Sequence, residues 1–365
     1  MTISAESASA GFDASRLTLA RLAAGLRKNE LAERIEVSAG AVSQYEKGTT
    51  RPSPRVTAAL ALALGVPAEF FLADRPVEQA LRSVPHFRSL RAASQMERDR
   101  AFAHATLAWE LTEVLDGWVR FPEADLPSRF SLAPSDSVAA AEQVAESLRL
   151  EWGLGEEPVP NMVRLIEKQG VVVTRLPLGT SRVHAFSCGY PKRPVVVLAA
   201  ERNKLAAGRL DAAHELGHLV CHDDAEPGHQ VLERQAFAFG SAFLLPAKAA
   251  EDVLPRTLDF ARLLQLKNTW GISVQALLFR SRSLGIMSDA TYRRAMTRLS
   301  AFGWRRMEPG DEEVGEKPIL LARALELVSE RGVTLDEVAT RARLTTDRVR
   351  MLACLDDQAP EVLGS

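Results

Sequence analysis

The sequence predicts an α+β fold that is mostly helical. Five short helices open the chain, a small sheet leads into a helix with two histidines one turn apart, and more helices follow. Three observations predict this. Residues 13–72 are short apolar-periodic runs punctuated by Gly and Pro. Val171–Leu176, Val183–Cys188 and Pro194–Ala199 are short runs that read as strands, the first and third rich in β-branched residues. Ala212–His222 reads Ala-Ala-His-Glu-Leu-Gly-His-Leu-Val-Cys-His, an apolar stripe at helical spacing with His214 and His218 four apart.

The N-terminal helices are expected at Arg16–Ala24, Lys28–Ile35, Ala39–Glu46, Val56–Leu64 and Pro67–Leu72. Ser38 is placed to cap the third, because its hydroxyl can accept an orphan N–H of the first turn. Two short helices joined by a tight turn form a helix-turn-helix, whose second helix can enter a major groove. The stretch Gly25–Gly48, followed by Arg51-Pro52-Ser53-Pro54, resembles the phage-repressor (Xre) type of DNA-binding domain. That resemblance implies an Xre-type domain over 13–74 with double-stranded operator DNA as partner. It places Lys28 near phosphate, Ala39, Gly40, Ala41, Ser43 and Gln44 along the recognition helix, and Lys47 and Arg51 on the DNA backbone. Ala39, Gly40 and Ala41 offer thymine-methyl contact and close approach, and Ser43 and Gln44 offer polar contacts. Two copies on a palindrome, hence a homodimer, are the geometric expectation. The chain departs from the pattern in having Arg27 as a helix cap and Glu36 where Gly makes the turn, which costs energy if φ there is positive. A helical module used for dimerisation is the competing reading, since the charges of this segment nearly cancel.

Between the halves, Gln95 to about Val119 reads as one long helix, with His104 as a surface or packing residue. Residues 122–134 form a Pro- and Ser-rich connector, and Val138–Trp152 and Asn161–Gln169 are helices. His184 sits on a strand and is expected on a solvated face.

Positions i and i+4 lie one above the other on a helix, so His214 and His218 can aim two imidazoles at one point. Neutral imidazoles suit Zn²⁺, and a third protein ligand with one open position makes a site catalytic rather than structural. Glu215 stands where it can take a proton from a water at the metal. The competing reading is an amphipathic helix whose histidines cap or solvate. Downstream, Leu232–Pro246 is a second helical run with Glu233 near its start.

Together these runs resemble the ImmA/IrrE family of zinc metallopeptidases, in which H-E-L-G-H is followed by E-x-x-A-(N/D)-x-F-A-x-x-L-L-x-P. The resemblance implies a zincin-like domain over 75–306, with His214, His218 and Glu233 as ligands of one Zn²⁺ and Glu215 as catalytic base. Pro85–Arg91 resembles the strand that opens the peptidase part in two-domain members. Phe237 stands where the family usually has Asn or Asp, and Gly240 where Ala is usual. Glu226 is an alternative third ligand. His222 shares the stripe of His218, but a straight helix cannot bring three successive i+4 imidazoles to one ion. Cys221 is expected as a buried inert thiol. Arg209 and Asp211 are expected in helix capping and ion pairing.

At 365 residues, 46% hydrophobic and 25% charged, the chain has room for two or three ordinary domains. A net charge of −2 excludes a globally basic nucleic-acid binder and leaves local patches open. Cys188, Cys221 and Cys354 form no C-x-x-C, which suits a reducing cytoplasm. No apolar run approaches the roughly 18 residues that span a bilayer, so no membrane partner is expected. Residues 1–12 lack a signal-peptide pattern and read as a disordered lead-in. After Pro246 many arginines outnumber nearby acids, as a solvated helical face or a docking surface would. Residues 307–365 are expected to form a helical cap, although Thr334–Leu352 has helix-turn-helix rhythm.

The implied function is a DNA-binding transcriptional regulator. Its metallopeptidase-like domain cleaves a repressor-type protein or senses a signal. The rival is a repressor or antitoxin whose second domain only senses or dimerises.

Overall fold

The computed structural model describes residues 5–73, 93–180, 182–190, 192–222 and 229–355. The strand expected at Pro85–Arg91 and the alternative ligand Glu226 lie outside these residues.

In chain order the helices are α1 (Ala5–Ala10), α2 (Ala14–Ala23), α3 (Lys28–Arg34), α4 (Ala39–Glu46), α5 (Pro54–Leu64), α6 (Gln95–Leu115), α7 (Val138–Glu151) and α8 (Met162–Lys168). Strands β1 (Val172–Leu176), β2 (Ala185–Cys188) and β3 (Val195–Ala199) follow. Then come α9 (Leu205–Cys221), α10 (Gln230–Leu244), α11 (Ala247–Val253), α12 (Phe260–Trp270), α13 (Val274–Ser283) and α14 (Asp289–Ala301). Helices α15 (Leu320–Glu330), α16 (Leu335–Ala342) and α17 (Thr346–Leu352) close the described chain.

The sheet has the order β1-β3-β2, with β1 parallel and β2 antiparallel to β3. Every residue of β3 is buried, as expected of a strand covered on both faces, and this explains its unbroken Val-Val-Val-Leu-Ala run. Successive side chains point to opposite faces. Val172, Leu176, Phe186, Val195 and Val197 enter one hydrophobic core, and Val173, Ala185, Val196 and Leu198 enter the other. The first core also holds the N-terminal helices, α6 and α15–α17. The second is built on α7–α14.

On the first side, Leu17, Leu31, Val42, Leu60, Phe70 and Phe71 are fully buried where α2–α5 meet. Arg16 of α2 is also fully buried; its guanidinium lies 4.0 Å from the Phe70 ring centroid and it donates to the Glu110 carboxylate of α6. Residues 5–10, expected to be disordered, instead form α1. Ala8 is buried, Ser9 Oγ donates to Pro52 O at 2.6 Å, and Phe12 pairs with Leu72. Small Ala and Ser side chains carry no strong helix signal, and it is these tertiary bonds that order the segment.

The basic residues after Pro246 do not all face solvent. Lys267 is buried between Glu308 (3.1 Å) and Asp311 (2.6 Å), and Arg280 pairs with Glu142 at 2.5 Å. At the C-terminal end, Glu167 of α8 accepts from the backbone N–H groups of Ile319 (3.0 Å) and Leu320 (2.9 Å) at the start of α15. Thr174 of β1 donates to Leu352 O at 2.7 Å. Helices α16 and α17 have helix-turn-helix form, with Arg343 in the left-handed turn (φ 56°), but α17 packs on α6 and β1.

Candidate metal centre and helix-turn-helix module

Helices α9 and α10 pack closely because each carries a glycine at the crossing. A Cβ on Gly217 would lie 2.9 Å from a Phe239 ring carbon. One on Gly240 would lie 3.0 Å from the His214 backbone nitrogen. The crossing sets Glu233, in the first turn of α10, against the histidine face of α9.

The His214 and His218 Nε2 atoms are 3.1 Å apart, with the rings edge to face. Glu233 Oε2 lies 3.3 Å from His214 Nε2 and 3.4 Å from His218 Nε2, and all three side chains are buried. Zinc bonds of about 2.0–2.1 Å at tetrahedral angles set neighbouring donors about 3.3–3.4 Å apart. Two imidazole nitrogens and a carboxylate oxygen at this spacing fit that ion. Burial pushes the Glu233 carboxyl up, but the His214 and His218 rings beside it outweigh that and hold the group at about 2. It is therefore ionised and able to ligate.

Glu215, next to the first histidine, is buried, and Ser187 of β2 donates to its Oε2 at 2.8 Å. Burial raises its carboxyl well above the usual range, and the Ser187 bond only partly opposes this. Such a group keeps a proton readily once it has taken one.

His222 caps the end of α9 with φ −134°, off the straight continuation of the helix. Its Nδ1 lies 3.0 Å from His218 Nδ1, on the ring edge away from the shared Nε2 point, so it is no ligand of that point. Its Nε2 meets Gln235 Oε1 at 3.0 Å. Phe237 sets its ring edge to face on Phe279 of α13, centroids 5.1 Å apart. Arg209 pairs with Glu316 at 2.5 Å and Asp211 with Arg202 at 3.1 Å, the ion pairing expected of them.

In the N-terminal module Ser38 Oγ accepts from Ala41 N at 3.1 Å and starts α4. Glu36 sits in the left-handed region (φ 55°), so the turn carries the strain expected of a non-glycine residue there. Ala39, Gly40, Gln44, Lys47 and Arg51 are exposed, and Ala41 and Ser43 half-buried. Lys28 does not project freely; its Nζ is 3.0 Å from Glu46 Oε2, a carboxylate that Arg21 also binds. Arg51 donates to Ala10 O at 3.0 Å.

Residues 14–70 match a family model described as a helix-turn-helix domain, and residues 166–282 match the peptidase M78 model described as an IrrE N-terminal-like domain. The chain is a fusion of these two domains. No curated protein matches it. Within the fusion, all three expected ligand positions and Glu215 fall in the matched peptidase-like region, and α4 falls in the matched helix-turn-helix region.

Two site residues of the fusion are not legible from spacing. Ser187 reaches Glu215 from a strand, and Gln235 reaches His222 across a helix pair. The continued four-residue histidine spacing is the signal that could have found the second contact.

Proposed function

We propose that the fusion is a cytoplasmic DNA-binding transcriptional regulator that cleaves a repressor-type protein, with one Zn²⁺ held by His214, His218 and Glu233. The carrying observation is the donor triangle of 3.1, 3.3 and 3.4 Å beside a buried, hydrogen-bonded Glu215. Zinc supplies a Lewis acid for the scissile carbonyl and a water of lowered pKa. Glu215 takes the proton on its carboxylate and delivers it to the leaving amine, while Ser187 keeps that carboxylate oriented. Outer strand β2 carries Ser187, so a substrate segment added beside it lies next to the same centre. The exposed face of α4, with Gln44 and Lys47, reads operator DNA as two copies on a palindrome. No described helix is long and apolar enough to cross a membrane.

Metal content is the first test. Purified wild type carries about one zinc per chain, and His214→Ala carries none. The second test is cleavage of a co-encoded repressor, present in wild type and lost in Glu215→Gln with zinc retained. Zinc-loaded wild type that leaves every co-encoded repressor intact favours a second reading, in which the domain senses or dimerises. The packing of Phe237 on Phe279, at the position where the resembled motif has Asn or Asp, is the observation that supports it.

A further inference from the structure

A hydrogen-bonded chain runs from the backbone of residues 133–136 to the centre and has only one consistent direction. Gln235 is fully buried, and its Nε2 donates to the carbonyl oxygens of Ala133 (3.1 Å) and Asp136 (3.0 Å). Carbonyls accept and cannot donate, so the amide cannot be turned over without setting its own oxygen against two others. Its Oε1 therefore faces His222 Nε2 at 3.0 Å as an acceptor, and that nitrogen must carry the hydrogen. A neutral imidazole protonated at Nε2 has its lone pair at Nδ1. His222 Nδ1 is 3.0 Å from His218 Nδ1, so His218 donates there. A histidine protonated at Nδ1 presents a lone pair at Nε2, the atom 3.1 Å from His214 Nε2 and 3.4 Å from Glu233 Oε2. Reversing the chain would put an N–H where a ligand atom is needed.

We infer that His222 and Gln235 are positioning residues for the metal: they lock His218 in the tautomer that offers its Nε2 lone pair to the ion. This rests on the zinc reading above and extends it beyond the three ligands. Most ligating histidines anchor the far nitrogen on a carboxylate or a carbonyl. Here a second histidine does so, and a glutamine sets that histidine's polarity from two backbone carbonyls. Gln235 also lies on the same helix as Glu233, so the helix that brings the carboxylate brings the tautomer lock with it.

The test is zinc affinity by chelator competition in wild type, His222→Asn, His222→Leu and Gln235→Leu. Asn can set Oδ1 where His222 Nδ1 lies and accept from His218, whereas Leu keeps the bulk without an acceptor. Asn is expected to hold affinity within about threefold, and each Leu variant to lose about 10- to 100-fold. A role in packing alone would spare Leu at least as well as Asn. Long-range ¹⁵N–¹H spectra of zinc-loaded wild type are expected to show His218 protonated at Nδ1 and His222 at Nε2. They need no variant, so a misfolded Leu protein does not void the test. A His222 proton on Nδ1, or wild-type affinity in both folded Leu variants, overturns the inference and leaves the zinc reading standing. Wild type that takes up no zinc overturns both.

Discussion

Gly240 and His214 touch backbone to backbone: a Cβ at residue 240 would stand 3.0 Å from the His214 nitrogen and 3.3 Å from its Cα. Glu233 of α10 is therefore held at its distance from the two histidines by the absence of a side chain seven residues further along. Gly240→Val forces the two helices apart. The expected loss is about 1–3 kcal/mol in urea denaturation. Zinc affinity falls with it, because Glu233 moves with the helix.

Arg16 and Glu110 join the DNA-binding module to α6 inside the protein. Removing one partner leaves the other charge buried and alone, so Arg16→Met is expected to cost about 3–5 kcal/mol. Arg16→Met combined with Glu110→Leu recovers a large part of the loss. Calorimetry of wild type should show the module melting together with α6 rather than ahead of it.

Glu167 gives the C-terminal helices a pH dependence. Burial pushes its carboxyl up to about 7, against the bonds from Leu320 and Ile319 that favour the charged form. A folded pKa raised above the unfolded value of 4.5 means a contribution fully present below 4.5 and lost as pH rises through about 7. Glu167→Gln is neutral throughout. Its stability relative to wild type should therefore rise between pH 4.5 and 8, by up to about 3 kcal/mol. Denaturant titrations of both proteins at several pH values measure this.

His104, expected at the surface or in packing, is buried in α6 at 2% exposure, and among the described residues neither ring nitrogen has a hydrogen-bond partner. Burial, then the charges of Arg348 and Arg100, hold its imidazole well below 6.5. A depressed folded pKa means stability present above 6.5 and lost as pH falls below it, because the unfolded chain takes the proton. His104→Leu is expected to stabilise by about 1–3 kcal/mol at pH 7 and to flatten the acid limb. Thermal melts between pH 5 and 8 decide it.

On DNA, Gln44→Ala should relax base preference at one position of a selected operator by about 1–3 kcal/mol. Lys47→Ala should weaken all sequences alike and lower the salt slope by about one. Fluorescence anisotropy at two salt concentrations separates the two patterns.

What could be read from sequence was what local spacing encodes. His214, His218 and Glu233 lie on two helices whose periodicity is plain, and the recognition helix announces itself through Ser38 and the turn at Glu36. Contacts between distant segments were not legible. The basic residues after Pro246 read as a solvated face or a docking surface because the partners of Arg280 and Lys267, Glu142 and Glu308, lie far off in sequence, and Ala5–Ala10 reads as disordered because its order comes from Pro52 and Leu72. Ser187 and Gln235 have the same cause, since each acts on a histidine helix from another element.

The three strands serve as a party wall. Val195 and Val197 lean into the core that holds the N-terminal helices, while Val196 and Leu198 lean into the core behind the histidine helix. The segments that flank the histidine helices in sequence meet on one side of that wall, so no single cut in the gene parts the two halves, and a truncation at either end bares oily surface.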